Sequence, residues 1–276
     1  MKIMKSADSI EVRKYGDSGP HAALLHGGPG APGEMAPVAK HLSRDFRVLE
    51  PLQRLSGDIP LTVALHVEDL HNVLREIPDS EKIRLVGFSW GAMLALTYAA
   101  RYPEQIERVI IIGCGTFDEQ SRRIYIDNMA GRMKSGEQKR IKQIEALLVL
   151  EKDRGRRNKL FAELGAIYSR IQSFKPHADC LDDVLCFDEE GFRQIWSDTL
   201  SLQKQNIQPA EFANIRAQVT MIHGKDDPHP GRLINKSLAW YIPNLQYFDL
   251  PRCGHKPWNE QYAKDDFYNL LAGNLE

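Results

Sequence analysis

The stretch Ile83-Arg-Leu-Val-Gly87-Phe-Ser89-Trp-Gly91-Ala-Met-Leu-Ala-Leu-Thr-Tyr-Ala-Ala100 decides how the chain is read. Ile83, Leu85 and Val86 suit a buried strand, whereas Ala92–Ala100 is rich in alanine and leucine, which favour helix. Between them the pentapeptide Gly-x-Ser-x-Gly leaves no residues for a loop. A strand that passes straight into a helix needs a turn so tight that its central residue takes strained backbone geometry. Glycines two residues to either side remove the Cβ atoms that would collide there. Ser89 then projects from the end of the strand with its Oγ exposed. The competing reading is a serine packed into a glycine-rich turn.

Working outward, Ile10–Tyr15, Ala22–His26, Phe46–Leu49 and Val109–Gly113 also read as strands. Val63, Val67, Leu70, Leu74 and Ile77 recur at helical spacing, with Glu68, Asp69, Arg75 and Glu76 left for the other face. The alternation predicts an α/β fold, a mostly parallel sheet flanked by helices. After about residue 117 the strands stop. Roughly a hundred charged, helix-favouring residues follow before Gln218–His223 restores the strand pattern, then a helix around Leu233–Tyr241, a strand at Leu245–Leu250 and a closing helix from about Asn259 to Leu271. Residues 1–117 and 218–276 are thus expected to form one catalytic core, and 118–217 an inserted helical lid. The insertion is polarised. Arg132–Lys159 holds ten Lys or Arg against four acids, a net of +6, whereas Asp179–Glu190 holds six acids and no base. Such runs are solvated helix faces or, alternatively, attract each other or screen substrates at a pocket mouth.

With 36 Lys+Arg against 37 Asp+Glu over 276 residues, the net charge is −1, so no basic excess draws the chain to nucleic acid or an anionic membrane. Four scattered cysteines (Cys114, Cys180, Cys186, Cys253) make no disulfide scaffold, and a cytoplasmic location is the default. The N-terminus builds no signal-peptide run. The longest weakly polar stretch, Trp90–Ala100, is about half of the ~20 residues that span a bilayer, so no membrane partner is expected.

A serine hydroxyl needs a base to take its proton, and that imidazole needs a carboxylate to fix its tautomer. His255, in the turn Cys253-Gly-His-Lys-Pro257 after the last expected strand, is the best placed of nine histidines. The turn Ile222-His-Gly-Lys-Asp-Asp-Pro228 offers Asp226 and Asp227; both qualify, and the spacing from Gly224 favours Asp227. Asp118 is the reserve acid. His223, Asp226, Asp227 and His229 could instead bind a metal, although Pro228 restricts their convergence, and neither metal nor organic cofactor is expected.

The order Ser89, Asp227, His255 resembles that of α/β-hydrolase-fold serine hydrolases. The loop His26-Gly-Gly-Pro-Gly30 resembles the proline iminopeptidase branch in particular. That resemblance implies an oxyanion hole made by the backbone N–H groups of Gly28 and Trp90, with His26 bracing the glycine loop. The likeness covers residues 22–117 and 218 onward. It weakens at Pro51-Leu-Gln-Arg-Leu-Ser-Gly57, where Gln53 and Arg54 match the family's Asp-Gln-Arg-Gly segment but Leu52 and Leu55 do not. Asp188, Glu189 and Glu190 are candidates for holding a substrate α-amino group, and Trp196, Phe174 and Tyr168 for lining a substrate pocket. The expectation is a hydrolase of small esters or amides working through an acyl-enzyme. Its alternatives are a proline iminopeptidase-type aminopeptidase, a carbon–carbon bond hydrolase, and, in another class, a ligand-binding receptor on the same fold. The partner expected is a small ester, amide or short peptide.

Overall fold

The computed structural model describes residues 2–4, 10–178 and 184–276. Its strands are β1 (Lys2–Met4), β2 (Val12–Tyr15), β3 (His21–Leu25), β4 (Arg47–Pro51), β5 (Ile83–Phe88), β6 (Ile106–Ile112), β7 (Gln218–Gly224) and β8 (Gln246–Leu250). They form one eight-stranded sheet in the order β1-β2-β4-β3-β5-β6-β7-β8. The β1–β2 and β2–β4 pairs are antiparallel, and every pair from β4–β3 onward is parallel.

Parallel strands need crossovers that cover both faces of the sheet. The crossover helices α1 (Ala36–Leu42), α2 (Val63–Leu74), α3 (Trp90–Arg101) and α8 (Gly231–Ala239), with the closing helix α9 (Lys264–Leu275), provide this cover. Side-chain alternation divides the strands between two cores. Leu25, Leu85, Val109, Ile111 and Met221 join the α2, α3 and α8 layer. Leu24, Val86, Ile110, Ile112 and Ile222 join the α1 and α9 layer. All six residues of β5 are buried, as a central strand covered on both faces requires.

Between β6 and β7 lie α4 (Glu119–Arg132), α5 (Ser135–Leu150), α6 (Arg154–Gln172) and α7 (Glu189–Lys204). The first three share a small core of Met129, Ile141, Ile144, Ile167 and Ile171, separate from the two sheet cores. The oppositely charged runs of this insertion meet: Arg157 pairs with Glu189 at 2.6 Å and Arg154 approaches Asp188 at 3.5 Å. Asp179, Asp182 and Asp183 of the acidic run fall outside the described residues.

Three features depart from the sequence reading. The edge strand β1 and the short helix α1 are additional. The closing helix starts later than expected, at Lys264, after a short 3-10 turn at Pro257–Asn259. Asp69, assigned by helical spacing to the solvent face of α2, is buried, because the loop after β4 folds over it and Arg54 grips both carboxylate oxygens at 2.6 and 2.8 Å. Helical periodicity describes the helix alone and carries no information about a loop that later covers its polar face.

Candidate active site

Ser89 sits between β5 and α3 at φ 52°, ψ −115°, a left-handed-side conformation costly for a residue with a side chain. Its backbone is held by donation from its N–H to the Ile112 carbonyl at 2.9 Å. The turn closes only because of its glycines. A Cβ on Gly87 would overlap the backbone of Gly91 and Ala92, and a Cβ on Gly91 would overlap the carbonyl oxygens of Leu25 and His26. The Ser89 Cβ faces Gly27 across this junction.

Facing it is the loop after β3, in which Gly28 has φ +103° and Gly30 φ +83°. The Gln53 backbone N–H donates to His26 Nε2 at 3.0 Å, so the ring proton lies on Nδ1, which donates to the Gly27 carbonyl at 2.8 Å. His26 thus braces the glycine loop as a neutral group, its pKa lowered to about 4 chiefly by burial. The Gln53 amide extends the brace: its Nε2 donates to the His26 carbonyl and its Oε1 accepts from Trp90 Nε1, both at 2.8 Å. Glu34 accepts the Gly27 N–H at 2.7 Å and pairs with Lys256 at 3.0 Å. At the start of α3 the N–H groups of Trp90 and Gly91 belong to the helix's first turn, which has no carbonyls of its own to meet them.

His255 and Asp227 come from loops beyond β8 and β7. His255 Nδ1 donates to Asp227 Oδ2 at 2.6 Å. The ring packs beside Phe88, centroids 4.9 Å apart, and against Gly113, which ends β6. Its backbone N–H donates to the carbonyl of Gln172 at the end of α6. The buried Glu260 accepts from the N–H groups of Gly254, Phe174 and Lys175 at 3.0, 2.7 and 2.7 Å. Asp227 is fully buried. Burial pushes its carboxyl upward, but His255, His229 and His223 outweigh it and hold the pKa well below the ordinary aspartate value.

Ser89, Asp227 and His255 therefore stand beyond the carboxyl ends of β5, β7 and β8 of the one sheet, with Asp227 and His255 in direct contact. Trp196 of α7 packs against the core beside Trp90, its ring 6.3 Å from that of Trp90. Tyr168 lies instead against the core shared by α4, α5 and α6. Phe174 is 45% exposed and meets Tyr262 edge-on. Asp118 caps α4, accepting from Ser121 N–H and Oγ–H at 2.7 and 2.9 Å. Among the described residues, Asp227, His229 and His255 bring metal-ligand atoms within 4.8 Å of one another, and these atoms hydrogen-bond within the group. Asp226 stands outside that group.

Sequence reasoning missed Tyr125 and offered His229 only as a possible metal ligand, not as a partner of Asp227. His229 donates to Asp227 Oδ1 from both its backbone N–H and its Nδ1, each at 2.9 Å, and its ring stacks between those of Tyr125 and His255. The signal available was a histidine two residues beyond the candidate acid and fixed between Pro228 and Pro230.

His66 of α2 is a second buried neutral histidine, its pKa also lowered to about 4 mainly by burial. Both His26 and His66 protonate in the unfolded chain near 6.5 and in the fold only near 4. The unfolded state then binds more protons throughout that window, so stability falls as pH drops through it. The expected loss at pH 5, relative to pH 7, is about 2 kcal/mol for each histidine. Urea midpoints measured at the two pH values check this: equal midpoints would contradict it.

A family model described as the alpha/beta hydrolase fold matches residues 23–258. Over 268 residues the chain is 25% identical to a proline iminopeptidase of Lactobacillus delbrueckii subsp. bulgaricus, covering 90% of this chain and 87% of that protein. It is 27% identical over 280 residues to a 2-hydroxy-6-oxo-2,4-heptadienoate hydrolase of Pseudomonas putida, covering 97% and 94%. A stretch of 56 residues is 41% identical to a cis-3-alkyl-4-alkyloxetan-2-one decarboxylase of Shewanella oneidensis, spanning 20% of this chain and 18% of that protein. Among solved structures, VinJ superposes with a TM-score of 0.67 at 18% identity, over 99% of this chain and 97% of that one.

Proposed function

Since the chain belongs to the α/β hydrolase fold family, we propose that it is a serine hydrolase of small esters or amides, with Ser89 as nucleophile, His255 as base and Asp227 as the orienting acid. The observation that carries this reading is the 2.6 Å Asp227–His255 contact at the sheet edge where Ser89 is held at φ 52°.

In the first step the Ser89 Oγ–H proton passes to His255 Nε2 as Oγ bonds to the substrate carbonyl carbon, whose π pair moves onto oxygen. The N–H groups of Gly28 and Trp90 receive that oxyanion. Trp90 lies at a helix N-terminus, and the positive φ of Gly28 brings bare backbone toward the substrate. The oxyanion then collapses, the carbon–leaving-group bond breaks, and His255 returns its proton to the departing oxygen or nitrogen. Water, losing a proton to His255, attacks the acyl-serine and releases the acid. Asp227 keeps Nδ1 protonated throughout, so that Nε2 is the basic nitrogen.

Residues 118–217 act as a lid over this site. Its contribution to the pocket is Trp196, beside Trp90. The aminopeptidase alternative needs an uncommitted carboxylate for the substrate amine. Asp188 accepts from Ser56 N–H and Oγ–H, Glu189 pairs with Arg157, and Glu190 pairs with Arg193. Each of these carboxylates already has a donor or cation beside it, which offsets its charge toward an incoming amine and favours a substrate without a free α-amino group. The unpaired thiols of Cys114, Cys186 and Cys253 suit a reducing cytoplasm, and among the described residues no helix is long and apolar enough to cross a membrane.

A comparison of short-chain aryl esters with proline arylamides tests the substrate class. Ester turnover is expected to exceed arylamide turnover by at least about tenfold, a difference of about 1.4 kcal/mol in the barrier. Selective turnover of the proline arylamide would reverse the preference.

A further inference from the structure

Asp227 serves two imidazoles. His255 takes Oδ2, whereas His229 takes Oδ1 through both its backbone N–H and its ring Nδ1–H. Each carboxylate oxygen is therefore committed to a different histidine. The two rings are stacked, centroids 4.6 Å apart and 21° from parallel, and Tyr125 of α4 closes the other face of His229 at 4.0 Å and 18°. Asn128, one turn further along α4, donates to the Pro228 carbonyl at 2.9 Å and fixes the backbone that presents His229. Pro228 and Pro230 stiffen it on both sides. A histidine needed only to fill space would not require its Nδ1–H aimed at the acid.

We propose that His229 is a positioning residue for the hydrolytic reaction: by donating Nδ1–H to Asp227 Oδ1, it shares the carboxylate's negative charge and so limits how tightly Asp227 holds protonated His255. The inference rests on the serine-hydrolase reading above. A general base works from its neutral form, and a carboxylate with its charge concentrated on Oδ2 would keep His255 protonated to higher pH. With Oδ1 bonded twice, part of that charge is neutralised at the far oxygen. The orientation of His255 is preserved and the grip on its proton is moderated.

Other ionisable groups surround the pair. His223 of β7 approaches Asp227 Oδ2 at 3.4 Å, and Asp226 precedes Asp227 in its loop. Tyr247 and Asp249 of β8 lie behind His223. Cys253 and Lys256 flank His255 in sequence, Lys256 paired with Glu34, and Glu260 ties down the same loop. Tyr125 covers His229 from α4. Burial is the largest influence on His223 and His229 and keeps both below the usual histidine value, so both act as neutral donors near neutral pH.

The test is the rate at which a fluorophosphonate labels Ser89, followed as a function of pH in wild type, His229→Phe and His229→Asn. Phenylalanine keeps a flat ring between Tyr125 and His255 and the backbone N–H bond to Oδ1 but has no side-chain donor; asparagine has a side-chain donor in the place of Nδ1 but no ring to stack. The acid limb of the labelling profile is expected to move upward by about half to one pH unit in His229→Phe and to stay near its wild-type place in His229→Asn. The folded fraction is followed at each pH by circular dichroism and the labelling rate is taken for that fraction, so that acid unfolding does not set the limb. A role in packing alone gives the reverse pattern, with phenylalanine benign and asparagine disruptive. An unmoved limb in His229→Phe, or an equal shift in both variants, overturns the inference. Failure of folded wild type to label at all removes the serine-hydrolase reading itself, and this inference with it.

Discussion

Ser89→Ala is expected to lose fluorophosphonate labelling entirely and to lower kcat for any ester it turns over by a factor on the order of 10⁴ or more, with folding little changed. On the proposed reaction the effect is large because alanine removes the bonding atom, whereas His255 and the N–H groups of Gly28 and Trp90 are left in place to favour attack by water. Stability is spared for a separate reason. The hydroxyl has no part in closing the turn, which depends on the Ser89 backbone N–H bond to Ile112 and on the bare Cα atoms of Gly87 and Gly91. Alanine tolerates φ 52° about as poorly as serine does, so the backbone penalty is present in both proteins. Labelling that persists in Ser89→Ala would show that a different nucleophile reacts. Asp227→Asn and Asp118→Asn complete the assignment. The first is expected to be severe. The second should leave the rate alone and cost little stability, because the asparagine Oδ1 can still accept the Ser121 N–H that caps α4.

The second large effect is structural. Gly91→Ala replaces a poor helix former by the best one, which on an open helix would stabilise by up to about 1 kcal/mol. Here the added methyl overlaps the carbonyl oxygens of Leu25 and His26, two backbone atoms of a buried strand end that cannot swing aside as a side chain does. The clash decides the sign, and a loss of about 3 kcal/mol or more is expected from urea denaturation. Labelling of the folded fraction should also fall, because Leu25 and His26 lead into the glycine loop. Gly131→Ala in α4 is the matched control, since its Cβ would meet nothing within 4 Å. That substitution should stabilise. If both changes moved stability in the same direction, helix propensity would be governing Gly91 and the close approach of α3 to β3 would not matter.

The reasons for what could be read in the sequence differ between parts of the molecule. Ser89, Asp227 and His255 stood out as candidates because each lies at or a few residues beyond the end of an expected strand, and residues just past the carboxyl ends of parallel strands converge whatever the rest of the chain does. The strand–turn–helix at Gly87–Gly91 carried most of the fold for the same reason. The insertion was legible as helices but not as a surface. Of the fourteen residues of α4 only Ser121 and Met129 are buried, so charge surrounds the helix and no face announces itself. That Trp196 reaches Trp90 while Phe174 lies at the surface follows from how the helices are mounted, a matter of long-range packing absent from local periodicity. The contact of His229 with Asp227 escaped because His229 belongs to no periodic element. Its meaning depends on Tyr125, which approaches it from α4 of the insertion.

Gln53 has a consequence for how substrate range can change in this molecule. Its side chain is a strut of fixed length, anchored at one end to the loop that carries Gly28 and at the other to the indole of Trp90. Pulling the glycine loop away from the start of α3 would break two buried hydrogen bonds together, so loop and helix behave as a single rigid unit. On the reaction proposed above, that unit carries both oxyanion donors. A change of substrate range then falls to the helices between β6 and β7, which bear on the unit at two points, where the Asp188 N–H donates to the Gly30 carbonyl at 2.9 Å and where Trp196 lies beside Trp90.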